Sequence, residues 1–378
     1  MSNDKKSLLL VSFCSLLNDP RPYKQIEALK EHFYITELAC GPSRSPDCFE
    51  KIVNIPRASF LQKVLWLPYM LSGNLHPYFS RYSCPAENRL IQQHFDLVIV
   101  HDIAPAPLAF RIAQNSPVIF DLHDYLPRLY EDNLRWRLLF QRGIYALCRE
   151  YLPQGSAWLT ASEQMAAEYQ REFGIQPIVT YNTPRFCDLA PSPVQPSRIR
   201  MVHHGQCAKG RSLENMLELM SKLDERFELH LYLVGEDEYY ESFKRRAQAC
   251  PGVIWHAPVP MTELSRETNK YDIGLFMLPA NTFNHDNTIA NKFFEFIQAR
   301  LLTAVWPTKA MKHIIDIYKT GFYTSEFSVD EMARRLMELT VEDITAYKHN
   351  SNAAANILTG ERSMEKIQKV ALSLVNMS

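Results

Sequence analysis

The sequence predicts an α/β protein built from two doubly wound halves, each around a parallel sheet, with a helical tail. Three observations carry this. The chain has 378 residues, more than one typical domain. Short runs rich in Val, Ile and Leu alternate with helical patterns in two successive series, as strands buried on both faces do. A proline-rich stretch, DLAPSPVQPS at Asp188–Ser197, separates the two series and reads as a semi-rigid linker.

The first half, residues 1–187, opens with a strand at Leu8–Phe13. Its apolar run is short and no small-residue cleavage site follows, so it reads as a buried strand and not as a secretion signal. Ser15–Arg21 (SLLNDPR) is a polar loop leading to a helix at about Pro22–His32. Strands follow at Asp96–Val100, Pro117–Phe120, Ala157–Leu159 and Pro177–Thr180. They deliver polar residues at their carboxyl ends: His101 and Asp102, then Asp121, His123 and Asp124, then Thr160 and Ser162. In open α/β sheets that edge is where ligands bind.

The second half, residues 198–359, repeats the alternation. Strands fall at Ile199–His203, Leu229–Val234, Val253–Trp255, Ile273–Met277 and Thr303–Trp306. Helices fall at Ser212–Leu223, Glu241–Ala249, Thr262–Lys270 and Met311–Tyr318. From Ser328 onward the pattern is helical only, with a last helix at about 360–378.

Composition narrows the function. The 46% hydrophobic and 22% charged content is that of an ordinary globular protein, and a net charge of -1 gives no global drive towards nucleic acid. The eight cysteines show no CxxC pair or Cys/His metal spacing, so they read as small apolar residues in a reducing compartment. No stretch approaches a membrane span, and the expected location is cytoplasmic. Phe60–Leu71 (FLQKVLWLPYML) is unusually apolar, carries Trp66 and Tyr69, and has Arg57, Lys63 and Arg81 in or around it. It is either core packing or a surface resting on the inner face of a bilayer or on a lipid-linked substrate.

The chemistry concentrates in a few stretches. In NHDNTIANKFFEFIQAR, Asn284–Arg300, a helix is expected from about Thr288 with Asp286 and Asn287 as caps. On one such helix Asn287, Asn291 and Glu295, spaced four apart, share a face with Lys292 beside them. A helix start suits a phosphate, and a carboxylate there can accept hydrogen bonds from sugar hydroxyls. The plainer reading is a polar stripe facing water. Gly205–Ser212, GQCAKGRS, has the outline of a phosphate-binding loop with Arg211 in place of the usual lysine, and Lys209 and Arg211 supply charge for a diphosphate. No GxGxxG and no G-x-S-x-G occurs, which removes support for a classical dinucleotide fold or a serine hydrolase. His123, flanked by Asp121 and Asp124, and its near-twin His101 are each either structural or functional. Two strand-end His-Asp pairs in one half favour function for at least one. Arg128, Arg135, Arg137 and Arg142 read as a solvated helix face.

The order of these motifs resembles a GT-B glycosyltransferase of the retaining GT4 type. The matching pieces are SLLNDPRPYKQIEAL, VIVHD, VIFDLHDYLPR, the TASE turn and YNTP in the first half. HHGQCAKGRSLE, LYLVGE, YDIGLFMLP and NKFFEFIQAR follow in the second. The resemblance implies two Rossmann-like domains facing a cleft, the second holding a nucleotide-sugar and the first the acceptor, with the last helix crossing back to the first domain. It implies His123, Lys209 and Arg211 as catalytic groups, the two cations offsetting the charge of the leaving diphosphate. Gly205, Asn287, Asn291, Lys292 and Glu295 would contact the donor, with Glu295 on the ribose hydroxyls. His101, Asp124 and Arg128 would line the acceptor side. No cofactor and no metal is expected, and the sequence offers no DxD at a strand end. The implied partners are a nucleotide-sugar and a glycan or lipid-linked acceptor, without nucleic acid. The family's E-x7-E pattern is met by Glu295 but has Asn287 where its first glutamate stands; either Asp286 substitutes by a one-residue shift, or Asn287 and the loop His285 make the sugar contacts. The expected activity is sugar transfer to an acceptor hydroxyl in surface polysaccharide or glycan synthesis. The alternatives are a sugar-nucleotide epimerase and a non-catalytic nucleotide-sugar-binding subunit.

Overall fold

The computed structural model describes residues 5–14, 20–40, 49–54, 60–80, 82–83 and 85–376. Residues 15–19 of the polar first loop, Arg57, Arg81, Cys48 and Cys84 lie outside them, as does the side chain of Lys63. Two compact units emerge. The first comprises Met1–Asn182, Thr282–Asn284 and Ser363–Ser378, and the second Thr183–Asn281 and His285–Arg362.

The first unit is built on strands β1 (Lys6–Ser12), β2 (Phe33–Cys40), β3 (Phe49–Asn54), β4 (Tyr82–Ser83), β5 (Leu97–His101), β6 (Val118–Leu122), β7 (Ala157–Thr160) and β8 (Ile178–Val179). They run in the order β4-β3-β2-β1-β5-β6-β7-β8, parallel throughout except for β4 against β3. The two-residue period of a strand divides β1 between two cores. Leu9 and Val11 join Val98, Val100 and Phe120 on one face. Leu8 and Leu10 join Leu97, Ile99 and Ile119 on the other, where Ile367, Ala371 and Val375 of the helix Gly360–Asn376 close the layer. Those three residues are four apart and form one stripe. The chain's last helix therefore covers its first strand. Gln368 fixes the register by donating to the Ala28 carbonyl (2.6 Å).

The second unit has strands β9 (Ile199–Gln206), β10 (Phe227–Val234), β11 (Val253–Trp255), β12 (Ile273–Phe276), β13 (Leu302–Val305) and β14 (Gly321–Tyr323), all parallel in the order β11-β10-β9-β12-β13-β14. The proline-rich segment is laid along this unit. Ser192 donates to the Asn269 carbonyl (2.7 Å), and the buried Lys348 donates to Ser192 (2.9 Å) and to the Tyr271 carbonyl (2.8 Å).

Several boundaries differ from expectation. The loop Gly205–Ser212 does not pass straight into a helix from Ser212. A 3-10 turn spans Lys209–Arg211, Ser212 adopts a left-handed φ of 51°, and the α-helix runs only from Glu214 to Met220. More consequentially, Phe283–Asn287 forms its own short helix and Asn291–Gln298 a second one. Ala290, at φ -61° and ψ 135°, is extended between them. Asn287, Asn291 and Glu295 therefore do not stack on one continuous face. Asp286 does not cap the second helix either: its carboxylate accepts from the Lys309 backbone N–H (3.0 Å) and pairs with the Lys309 ammonium (2.8 Å), tying it to the start of helix Lys309–Tyr318. The six described cysteines are free thiols, Cys148 and Cys207 buried and Cys14 exposed.

Candidate functional site

In the second unit the polar groups converge where β9 ends beside the helix Asn291–Gln298. That helix is seated by Gly274 in β12, where an added Cβ would stand 2.2 Å from Cγ of Phe296. Only glycine lets the ring approach the strand this closely, and that contact positions the helix on the sheet. Phe293, Phe294, Phe296 and Ile297 are buried beneath it. The polar side of its first turn carries Lys292, with Glu295 following.

His203 and His204, the last residues of β9 before the glycine turn, lie against these two. His203 Nδ1 faces the Leu275 carbonyl at 2.8 Å and must donate to it, which leaves Nε2 to accept from the Lys292 ammonium at 3.2 Å. His204 Nε2 lies 3.4 Å from the Glu295 carboxylate. Burial, and then the Lys292 charge, push both imidazoles down, His203 far below its ordinary value and His204 to about 3, so both are neutral. Gly205 turns the chain at φ 119°, and a Cβ there would come within 3.0 Å of Lys292 Nζ. Lys292 itself is pushed down to about 7, by burial first and by the Arg211 guanidinium second, with Glu295 opposing. Lys292, Arg211, Glu295 and Gly205 are thus brought into one electrostatic neighbourhood. Lys209 and Asn291 are exposed beside it, and Asn287 is buried on the preceding short helix.

In the first unit the carboxyl ends of β5 and β6 meet. His123 pairs with Asp102 (Nδ1 to Oδ1, 3.5 Å), the aspartate that follows His101, and not with its sequence neighbours Asp121 and Asp124. Asp102 sits at φ 63°, a left-handed conformation that aspartate tolerates better than most residues. Burial disfavours the imidazolium, yet the carboxylates of Asp102, Asp121 and Asp124 outweigh it and raise the His123 pKa. Asp121 lies 3.5 Å from His101 Nδ1 and is fully buried. Burial pushes its carboxyl up, but Arg21 and then His101 hold it at about 2. Arg21 grips it through Nε (2.8 Å) and Nη2 (2.6 Å) and donates from Nη1 to the Thr180 carbonyl (2.8 Å). The Asp124 carbonyl accepts from the Tyr169 hydroxyl (2.8 Å). Arg128 pairs with Glu131 and stacks 4.7 Å above the Phe283 ring, while Arg135, Arg137 and Arg142 are exposed.

Sequence reasoning passed over His203, His204, Arg21, Asp102 as a partner of His123, and Asn284. Asn284 accepts from the Tyr125 backbone N–H (2.7 Å) and donates to the carbonyls of Tyr125 (3.1 Å) and Arg128 (3.2 Å), pinning the chain just beyond His123. The doubled histidine ahead of the glycine turn was a visible signal. The pairing of residues more than 150 apart was not. Among the described residues, no group of three or more His, Cys, Asp or Glu is arranged to hold a metal ion, and no helix is long and apolar enough to cross a membrane.

Residues 38–190 match the sequence family described as Glycosyltransferase Family 4. No curated protein matches the chain by sequence. Solved structures match over nearly its whole length. Sucrose-phosphate synthase from Thermosynechococcus elongatus superposes with a TM-score of 0.72 at 11% identity, covering 99% of this chain and 100% of that one. HepE of Anabaena in complex with UDP-glucose gives 0.67 at 13%, covering 97% and 100%. The alpha,alpha-trehalose 6-phosphate synthase of Burkholderia multivorans gives 0.66 at 11%, covering 99% of each. At such identities the superpositions speak for the fold, and the family match speaks for the first half. On both, the chain has the GT-B fold of these proteins, and its residues 38–190 are similar to Glycosyltransferase Family 4.

Proposed function

We propose that the chain transfers a sugar from a nucleotide-sugar donor to an acceptor hydroxyl, with retention at the anomeric carbon and without a metal ion. The observation that carries this is the Lys292 ammonium, held over the Gly205 turn by a neutral histidine and next to Arg211. A cation kept in surroundings that disfavour it is well suited to an anion that brings charge with it. A diphosphate is such an anion. In the transfer, the bond from the anomeric carbon to the diphosphate oxygen breaks and its electron pair leaves with the phosphate. The acceptor oxygen bonds to that carbon, and its proton passes to the departing diphosphate. Lys292, Arg211 and the exposed Lys209 offset the charge that develops on the leaving group, and Glu295 accepts from ribose hydroxyls. His123, whose pKa the Asp102 carboxylate raises, is assigned to the transferred sugar. His101, Asp124 and Arg128 belong to the acceptor side.

HepE was solved with UDP-glucose, which makes a UDP-sugar the first donor to try. The acceptor class proposed is a glycan or lipid-linked glycan of a surface polysaccharide, with a cytoplasmic site of action. The test is calorimetric titration with UDP, GDP, dTDP and CMP, followed by product analysis with the sugar of the base that binds. Lys292→Met should weaken diphosphate binding by about tenfold or more. Unchanged affinity would remove the assignment. A second reading, a binding subunit without turnover, is favoured by one observation: Asn287, an amide unable to act as a base, is buried on a separate helix. Donor binding without product when acceptor is supplied would decide for it. Conversion of donor without acceptor would indicate an epimerase.

A further inference from the structure

The helix Phe60–Ser72 is apolar nearly all round, yet it is buried along a single stripe. Met70 and, just past the helix end, Gly73 are buried and Gln62 and Trp66 half-buried, the three- and four-residue spacing of one face. Trp66 therefore points inward, edge-on to Tyr78 at 5.7 Å. The remaining surface is open: Leu61 is 72% exposed, Leu65 67% and Leu71 52%, and Val64, Leu67 and Tyr69 are exposed with them. Singly exposed leucines are ordinary, but a whole helix side of them is not.

A second segment continues the surface. Tyr78 also packs on Phe140 (5.1 Å, edge-on), and a Cβ on Gly73 would stand 2.9 Å from the Arg142 side chain. The segment Leu134–Arg142 thus borders the apolar helix. It exposes Leu134 and Leu138, each 61% exposed, together with Arg135, Arg137 and Arg142. Neither stretch contains an acid: residues 60–86 and 133–149 carry no Asp or Glu, in a chain whose charges otherwise nearly balance at -1. An occupant must be apolar below and anionic at its surface, and a bilayer bearing acidic lipid has both properties.

We propose that these two neighbouring segments form a docking surface for a bilayer containing anionic lipid. Leu61, Leu65, Leu134 and Leu138 enter the boundary of the acyl chains, and Arg135, Arg137 and Arg142 stay at the headgroup phosphates. No step depends on glycosyl transfer, so vesicle binding and donor binding can fail separately.

The experiment is flotation of the full chain with vesicles of phosphatidylcholine alone and of phosphatidylcholine mixed with phosphatidylglycerol, at low and high salt. Binding to the mixed vesicles should exceed that to the neutral ones by at least about tenfold and should fall with salt. The double variant Arg135→Ala, Arg137→Ala should lose about fivefold per arginine on mixed vesicles. Leu61→Ser with Leu65→Ser should lose at least about tenfold. Both pairs are exposed, so the variants should melt as the unchanged protein does, which circular dichroism checks. Absence of binding to mixed vesicles, or variants that bind as well as the parent, would overturn the proposal. So would a concentration-dependent dimer abolished by the leucine substitutions without any flotation, which would assign the surface to a second copy of the chain.

Discussion

Lys292 carries a charge that its surroundings make costly to keep. Its pKa stands at about 7, lowered by burial and by Arg211, so under the proposed function an anion that restores the charge would bind together with a proton. The sign follows directly. Below pH 7 the ammonium is already present and binding takes up little; above pH 7 each bound diphosphate must first recharge Lys292. Affinity for a nucleoside diphosphate should therefore fall by up to about tenfold per pH unit above pH 7. Calorimetry in two buffers of different ionisation enthalpy should register proton uptake near pH 8, and Lys292→Met should lose it. A flat affinity between pH 7 and 8.5 would remove Lys292 from the anion site. Asp102 invites a parallel test in the first unit, as a positioning residue acting through His123. Asp102→Asn removes the nearest of the carboxylates that raise the His123 pKa. Imidazole proton resonances should then titrate at lower pH, and the acidic limb of any rate profile should move with them. A merely structural Asp102 would leave the His123 titration in place.

The element on which the second site depends is the helix Asn291–Gln298, and its position is set by a contact with a glycine. Gly274→Ala places a methyl group 2.2 Å from the Phe296 ring. The ring must move, and overpacking of this kind costs about 1–3 kcal/mol. Because Lys292 and Glu295 ride on the same helix, nucleotide affinity should drop along with the melting temperature. Melting lowered with affinity intact would mean that the helix tolerates displacement. Five of the six strands of this unit were legible as short apolar runs, while β14 (Gly321–Tyr323), only three residues long, was not. Nor was the helix start. Asn287, Asn291 and Glu295 have the spacing of one helix, but Asp286 is drawn to Lys309, 23 residues on, and the chain is extended at Ala290. Local spacing cannot register a partner so far along the chain. Strand β2 was missed for a similar reason: Thr36 and Glu37 interrupt the apolar run by which its neighbours are read.

For the whole molecule, the sequence pattern identified two parallel α/β halves and a helical tail, and the tail's attachment follows from three small contacts with strands at the far end of the chain. Two networks hold the first unit in ways open to measurement. Asp121, at about 2 when folded against an ordinary 3.8, favours the folded state by about 2 kcal/mol above pH 4, and this contribution is lost as pH falls towards 2. Asp121→Asn leaves the Arg21 guanidinium buried without its counter-charge and should cost about 3–5 kcal/mol, most of it independent of pH above 4. The second network is the apolar stripe of the last helix. Ile367 is fully buried against the face of β1 that holds Leu8 and Leu10, so Ile367→Ala should cost about 2–5 kcal/mol. Each unit has its own core, and scanning calorimetry should resolve two transitions. Ile367→Ala should lower the one that Asp121→Asn also lowers and leave the other where it was, because residue 367 lies in the first unit although it is almost the whole chain away from β1. Equal shifts of both transitions would mean that the last helix stabilises the molecule as one body and not the first unit alone.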